Sequence, residues 1–179
     1  MMTVESNLCD RHFDKSLHRV WIDEDEGVAT FPLWNLSGQM VGYQQYRPDG
    51  EKKLFNNPRE GRYFTHRKNK AVGVWGLEAW HLSNVLFITE GVFDAARITS
   101  KGYSAIATTS NDLDKTHQAW LYCVRSARPT VAVCDGDKAG LKLSKYSERF
   151  HVMPSGEDLG DASDDYVNWL IAKEVDYED

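Results

Sequence analysis

Residues 130–140 read TVAVCDGDKAG. An apolar, β-branched run passes directly into two aspartates one residue apart, Asp135 and Asp137, followed by a lysine, a small residue and a glycine. The run has the character of a strand covered on both faces. Two carboxylates at the end of such a strand repel each other, so either water screens them or a cation lies between them. The rest of the chain decides between these by what it brings to the same place.

Outward from this stretch the same pattern recurs. VLFIT (85–89) and SAIAT (104–108) are further apolar runs, and HVMP (151–154) is a shorter one. Between and after them lie stretches that predict helices. These are GVFDAARITSKG (91–102), closed by Gly102; LDKTHQAWLYCVRSA (113–127), with Asp112 or Asp114 placed to cap it; KAGLKLSKYSERF (138–150); and DASDDYVNWLIAKEV (161–175). Strands and helices in strict alternation predict a mainly parallel sheet with right-handed crossovers, flanked by helices. The first part of the chain differs. ATFPLWNLSGQMVGYQQYR (29–47) predicts a β-hairpin turning at Gly38, PDGEKK (48–53) a turn, and LFNNPREGRYFTH (54–66) a loop. The expectation is an α/β chain in two parts: a smaller α+β subdomain with a β-hairpin over residues 1–83, and a Rossmann-like unit over residues 84–179.

At 179 residues and 41% hydrophobic, the chain can bury a full core. No apolar run nears the roughly 18 residues that a membrane span needs. MMTVESNLCDRHF (1–13) lacks the apolar stretch of a secretion signal, so a soluble, cytoplasmic protein is expected. Three cysteines without a C-x-x-C pair suggest neither a disulfide scaffold nor a zinc ribbon. Cys9, Asp10, His12 and His18 could be drawn as a metal site, but their spacing fits no common zinc pattern, and a fraying polar N-terminal segment is the simpler reading. The net charge of −6 argues against broad attraction to DNA. Its distribution is uneven. All of the net negative charge lies in residues 84–179, whereas residues 47–70 gather eight basic side chains against three acidic ones. A solvated hairpin surface is the plain alternative for that basic strip.

In an open parallel sheet the C-terminal ends of the strands share one edge, where ligands gather. Acidic residues fall repeatedly at that edge. Glu90 ends the first strand and Asp94 follows one helical turn later; Asp135 and Asp137 end the third; Asp158 and Asp161 follow the fourth. On extended backbone Asp135 and Asp137 would point to one side and converge on one ion. Each piece alone has a bland reading, as a helix-end charge, an N-cap or a solvated loop. Together they place several carboxylates on one rim, which near neutral pH requires compensating cations. Oxygen ligands without a supporting Cys or His favour Mg²⁺ or Mn²⁺.

LFITEGVFDAARI (86–98), AVCDGDKAG (132–140) and VMPSGEDLGD (152–161) resemble the three acidic motifs of the Toprim domain, shared by DnaG-type primases, topoisomerases, OLD-type nucleases and RecR-like repair proteins. The first half narrows the resemblance. FPLWNLSGQMVGYQQYR (31–47) is similar to the primase stretch in which F-P-I and a G-x-x-V-G-F turn precede an arginine; KKLFNNP (52–58) resembles K-Y-L-N-S-P, and VWGLEAW (74–80) resembles L-Y-G-L-x-x-A. The resemblance runs from about residue 30 to about 167, in the primase order. It implies a primase-like transfer of nucleotides into an RNA primer on single-stranded DNA, using nucleoside triphosphates and two Mg²⁺ or Mn²⁺ ions. Glu90 would be the catalytic acid or base, with Asp135 and Asp137 beside it; Glu90, Asp94, Asp135, Asp137, Asp158 and Asp161 would form the metal site. Arg47, Lys53, Asn56, Arg62, Arg67, Lys68 and Lys138 would contact nucleotide or template. The family's lysine after the aromatic of F-x-K corresponds to His66, Arg67 or Lys68, and Tyr43, Tyr46 or Phe64 could stack bases or pack in the core. Ser110 stands where many primases have the glycine of A-x-x-G-T. The chain lacks a recognisable zinc module or helicase, so a minimal catalytic core is expected, with a separate helicase or zinc-module protein as partner. A Toprim nuclease and a non-catalytic nucleic-acid or protein-binding module are the alternatives.

Overall fold

The computed structural model describes residues 2–52, 54–68, 72–110 and 112–175. The N-terminal segment is a helix rather than a polar tail. In α1 (Val4–Asp10), Val4 and Leu8, four residues apart, are both buried, and the Thr3 hydroxyl accepts the Ser6 amide at 3.0 Å. The Glu24 carboxylate, distant in sequence, accepts the amides of Val4 and Glu5 at 2.8 and 2.9 Å. A carboxylate against free amides at a helix start is favourable.

Four antiparallel strands follow: β1 (Trp21–Asp23), β2 (Val28–Trp34), β3 (Met40–Tyr46) and β4 (Tyr63–Arg67), in spatial order β1-β2-β3-β4. The β2–β3 hairpin turns at Gly38, whose φ of +71° suits glycine. YFTH (63–66), expected within a loop, instead combines with Arg67 as β4, because pairing with β3 satisfies its backbone and sets alternate side chains on one face.

The second sheet is all parallel. It comprises β5 (Leu86–Thr89), β6 (Ser104–Ala107), β7 (Thr130–Cys134) and β8 (Arg149–Val152), in order β6-β5-β7-β8. The connecting helices are α2 (Val92–Thr99) and α3 (Lys115–Ala127), and α4 (Asp164–Val175) ends the fold. Asp114 rather than Asp112 caps α3, accepting the amides of Thr116 and His117. The helix expected over 138–150 is a 3-10 segment, Gly140–Tyr146, and β8 starts two residues earlier than its apolar run suggested. Its buried positions, Gly140, Leu143 and Tyr146, recur every three residues, which is the 3-10 period.

Strand alternation explains the layering. Phe87, Ala105, Ala107, Val131 and Val133 face α2, α4 and the antiparallel sheet in one core with Phe31, Leu33, Phe93 and Leu170. Leu86, Ile88, Ile106, Ala132 and Cys134 face the opposite way, against Leu121 and Val124 of α3 and Leu143. Residues 74–75 join the two sheets. Val74 exchanges backbone hydrogen bonds with Trp34, and Trp75 with Ala107 at 3.0 and 3.1 Å. Each such bond contributes about 0.5–1.5 kcal/mol net, whereas each fully buried Phe, Leu or Ile contributes about 1.5–3. Packing of the shared core therefore dominates the join. Among the described residues no helix is long and apolar enough to cross a membrane.

Candidate active site at the sheet edge

The C-terminal ends of β5 and β7 open into a cleft of about 350 Å³ whose far wall is the antiparallel sheet. Glu90, Asp94, Asp135 and Asp158 line it. Asp137 lines an adjoining hollow of about 250 Å³ together with Asp135, Asp158 and Lys52.

Glycines bring these acids together. Gly91 starts α2, and a Cβ there would lie 2.5 Å from Asp94 Oδ2. A Cβ on Gly136 would meet Met153 O at 2.5 Å and Pro154 O at 2.9 Å, so only glycine lets the loop after β7 press against the loop after β8. A Cβ on Gly140 would meet the Asp135 backbone at 2.6 Å. The D-G-D-K-A-G stretch thus folds back on itself rather than extending past the strand. Asp137 Oδ1 accepts the Gly140 amide at 2.7 Å where the 3-10 segment begins, while Asp135 is left at the cleft mouth.

Asp94 sits deepest. The Gly160 amide donates both to Asp94 Oδ1 at 2.9 Å and to Asp158 Oδ1 at 2.8 Å, holding the two carboxylates side by side. Burial, then the Asp158 charge and a shared hydrogen bond with it, and more weakly Asp135, raise the Asp94 pKa well above its usual value. Asp135 is also raised, by desolvation first and then by Asp158 and Asp137, with Lys52 opposing. Asp161 lies outside the cleft lining and pairs with Arg11 at 3.4 Å. Among the described residues, no three His, Cys, Asp or Glu side chains are already gathered around a single point at metal spacing, Cys9, Asp10, His12 and His18 included.

The strand ends are laced together above the cleft. Thr108 Oγ1 donates to Thr89 O at 3.2 Å, and the Thr109 amide donates to Glu90 O at 2.9 Å. Thr109 has a φ of +56°. A β-branched residue there is a backbone outlier that costs about 1–3 kcal/mol.

No family model matches the chain. A DNA primase of Thermotoga maritima is 27% identical over 160 residues, covering 89% of this chain and 26% of the primase. The chain therefore spans about a quarter of that relative's length. The primase fragment of the bacteriophage T7 primase-helicase superimposes with a TM-score of 0.60 at 16% identity, over 83% of this chain and 62% of the fragment. A DnaG primase catalytic domain bound to single-stranded DNA gives 0.54 at 20% identity, over 85% of this chain and 51% of that domain. The chain has the fold of the DnaG-type primase core.

Within this primase fold the basic strip is divided. Tyr63, Thr65 and Arg67 of β4 pair directly with Tyr46, Gln44 and Gly42 of β3, so all six share one face. Gln44, Tyr63 and Thr65 of that face line the cleft. Period two therefore selects Arg67 over His66 and Lys68 for the inward position. Its guanidinium donates to Thr108 O, and to Thr109 Oγ1 at 2.6 Å. Lys68 is exposed beyond the strand, and Lys138 and Asn56 are exposed on loops. Arg47 and Arg62 donate to Arg59 O and Gly50 O, closing their own hairpin. Lys53 lies outside the described residues. Tyr46 is core, donating to Asn7 Oδ1 at 2.9 Å, while Tyr43 and Phe64 lie on the opposite face of the sheet from the cleft.

The cleft also presents residues that the sequence motifs did not single out. Lys52, known only as part of the basic strip, lines both hollows. Arg11 is delivered by the end of α1, stacked 3.9 Å over the Phe93 ring, with Nη1 donating to Tyr63 Oη at 3.2 Å. The i, i+4 pair Val4 and Leu8 after Thr3 was the available signal for a helix that carries Arg11 inward.

Proposed function

We propose that the chain is a primase-like nucleotidyltransferase core that joins ribonucleotides on a single-stranded DNA template with Mg²⁺ or Mn²⁺. The observation that carries this reading is the convergence of Glu90, Asp94, Asp135 and Asp158 in one cleft beside Lys52 and Arg11. The primase fold and the DNA-bound state of a structural relative support it.

The donor set suits a hard divalent ion. It is all carboxylate oxygen, and Asp94, raised first by burial and then by the neighbouring Asp158 charge, is a carboxylate whose charged form a cation would favour. Asp94, Asp135 and Asp158 would hold such an ion, whose chemistry would be to supply positive charge near the triphosphate. Glu90, at the end of β5, takes the proton from the primer 3′-hydroxyl as its oxygen bonds to the α-phosphorus and pyrophosphate leaves. Lys52 and Arg11 attract the anionic nucleotide, and Gln44, Tyr63 and Thr65 form the wall that confines it.

Primer synthesis from ribonucleotides on single-stranded DNA tests this. The intact protein is expected to extend primers with Mg²⁺ or Mn²⁺, and Glu90→Gln to lose about 10²–10⁴ of the rate. Metal uptake without any product, or full activity in Glu90→Gln, overturns the reading. Cleavage of labelled DNA without added nucleotides redirects it to a nuclease.

A further inference from the structure

Arg67 and Thr109 form a unit that the acidic motifs do not include. Arg67 leaves β4 on the cleft side, and Gly42 opposite it clears the way: a Cβ on Gly42 would meet His66 O at 2.3 Å and Arg67 Cγ at 3.2 Å. The guanidinium then crosses from the antiparallel sheet to the end of β6, where its partners are the neutral oxygens of Thr108 and Thr109. Thr109 is held there in a left-handed conformation, tied through its amide to the carbonyl of Glu90, with its side chain lining the cleft. Arg67 donates to a lone pair of Thr109 Oγ1, so the hydroxyl hydrogen points away from Arg67 and is polarised by the adjacent charge. A hydroxyl fixed in that way is a donor, and the cleft's cations, Lys52 and Arg11, favour an anionic acceptor.

We infer that Thr109 donates a hydrogen bond to a phosphate oxygen of the bound nucleotide, and that Arg67 is the positioning residue that aims it. The inference rests on the proposed function and deepens it: Arg67, placed among the nucleotide-binding residues by sequence, acts through Thr109 rather than by touching the nucleotide.

The test is calorimetry with inorganic tripolyphosphate and with ATP, each in the presence of Mn²⁺, on the full chain and on Thr109→Val, Thr109→Ser, Arg67→Ala and the Arg67→Ala/Thr109→Val double variant. Thr109→Val, nearly isosteric, is expected to weaken both probes about tenfold while remaining folded, and Thr109→Ser to remain within about twofold of the intact protein. Arg67→Ala is expected to match Thr109→Val, and the double variant to be no weaker than either single variant, since the two residues act as one. Wild-type affinity in Thr109→Val overturns the inference, as does a double variant whose losses multiply. If Arg67→Ala fails to fold, the Val and Ser variants at 109 decide. Primer synthesis run on the same samples separates the two ideas. Tripolyphosphate binding without primers removes the proposed reaction and leaves this contact standing. Primers from a protein whose Thr109→Val variant binds normally remove this contact alone.

Discussion

Asp94 is the residue at which folding and the proposed metal role pull in opposite directions. Its native pKa lies well above the unfolded value near 3.8, so between those two values the native state binds more protons than the unfolded one. Stability from this group is therefore greatest below the unfolded pKa and is lost as pH rises through the native one. Asp94→Asn removes the charge while keeping an acceptor for the Gly160 amide. It is expected to raise the metal-free melting midpoint at neutral pH by about 2–4 °C and to flatten the acid-side pH dependence in thermal melts, while weakening Mn²⁺ uptake. A variant less stable than the parent at pH 7, with its pH profile unchanged, would show that Asp94 is not held against its charge. Asp164 is the reverse case. Lys101 and Arg97 hold its pKa down at about 2, so its pairing helps above the ordinary carboxylate range and fades as pH falls.

At the scale of elements, the loop after β7 is set by two close approaches. Gly140→Ala places a methyl against the Asp135 backbone, and Gly136→Ala places one against the 153–154 carbonyls. Each is expected to destabilise the fold by about 1–3 kcal/mol, read by urea denaturation, and to reduce Mn²⁺ uptake because Asp135 is displaced. A Gly136→Ala protein with parental stability and metal uptake would remove glycine's role there. The acids at the strand ends were legible because apolar runs followed by carboxylates are local patterns, and the order of strands and helices fixes which edge they share. The 3-10 segment was less legible. Gly140, Leu143 and Tyr146 repeat every three residues within a stretch whose composition also suits an α-helix, and the backbone contact at Gly140 is invisible in sequence. β4 was hidden for a related reason. Its side chains read as a turn-rich loop, and only pairing with β3 gives YFTHR its extended form.

At the scale of the molecule, the cleft exists because two sheets share a core. Phe31 and Leu33 of one sheet and Phe87 and Val131 of the other meet in it, and residues 74–75 bridge their edges. Residues of both halves consequently face one space: Arg11, Gln44 and Lys52 from one, Glu90, Asp94 and Asp135 from the other. None of these cross-half meetings follows from a local motif, which is why Thr109 had no signal of its own and Arg11 only that of the helix carrying it, while Glu90 had a motif. Divalent ions bound in this cleft as proposed would bind the folded state alone. Mn²⁺ at about a hundred times its dissociation constant is therefore expected to stabilise the protein by about 2.7 kcal/mol, seen as a higher melting temperature. That shift should shrink in Asp135→Asn and as pH falls, since protons compete for the same oxygens. A shift equal in parent and variant would place the ions elsewhere.

The short helix that carries Arg11 begins at Val4, with Thr3 and Glu24 closing its first turn. Its seven residues span roughly 10 Å, so a purification handle fused ahead of them sits within one small protein's radius of the acidic cleft. Crowding of Thr3 by such a handle would loosen the arginine at the far end, and an assay on tagged material would then record the handle's influence as though it belonged to the protein. Removing the handle before measurement separates the two.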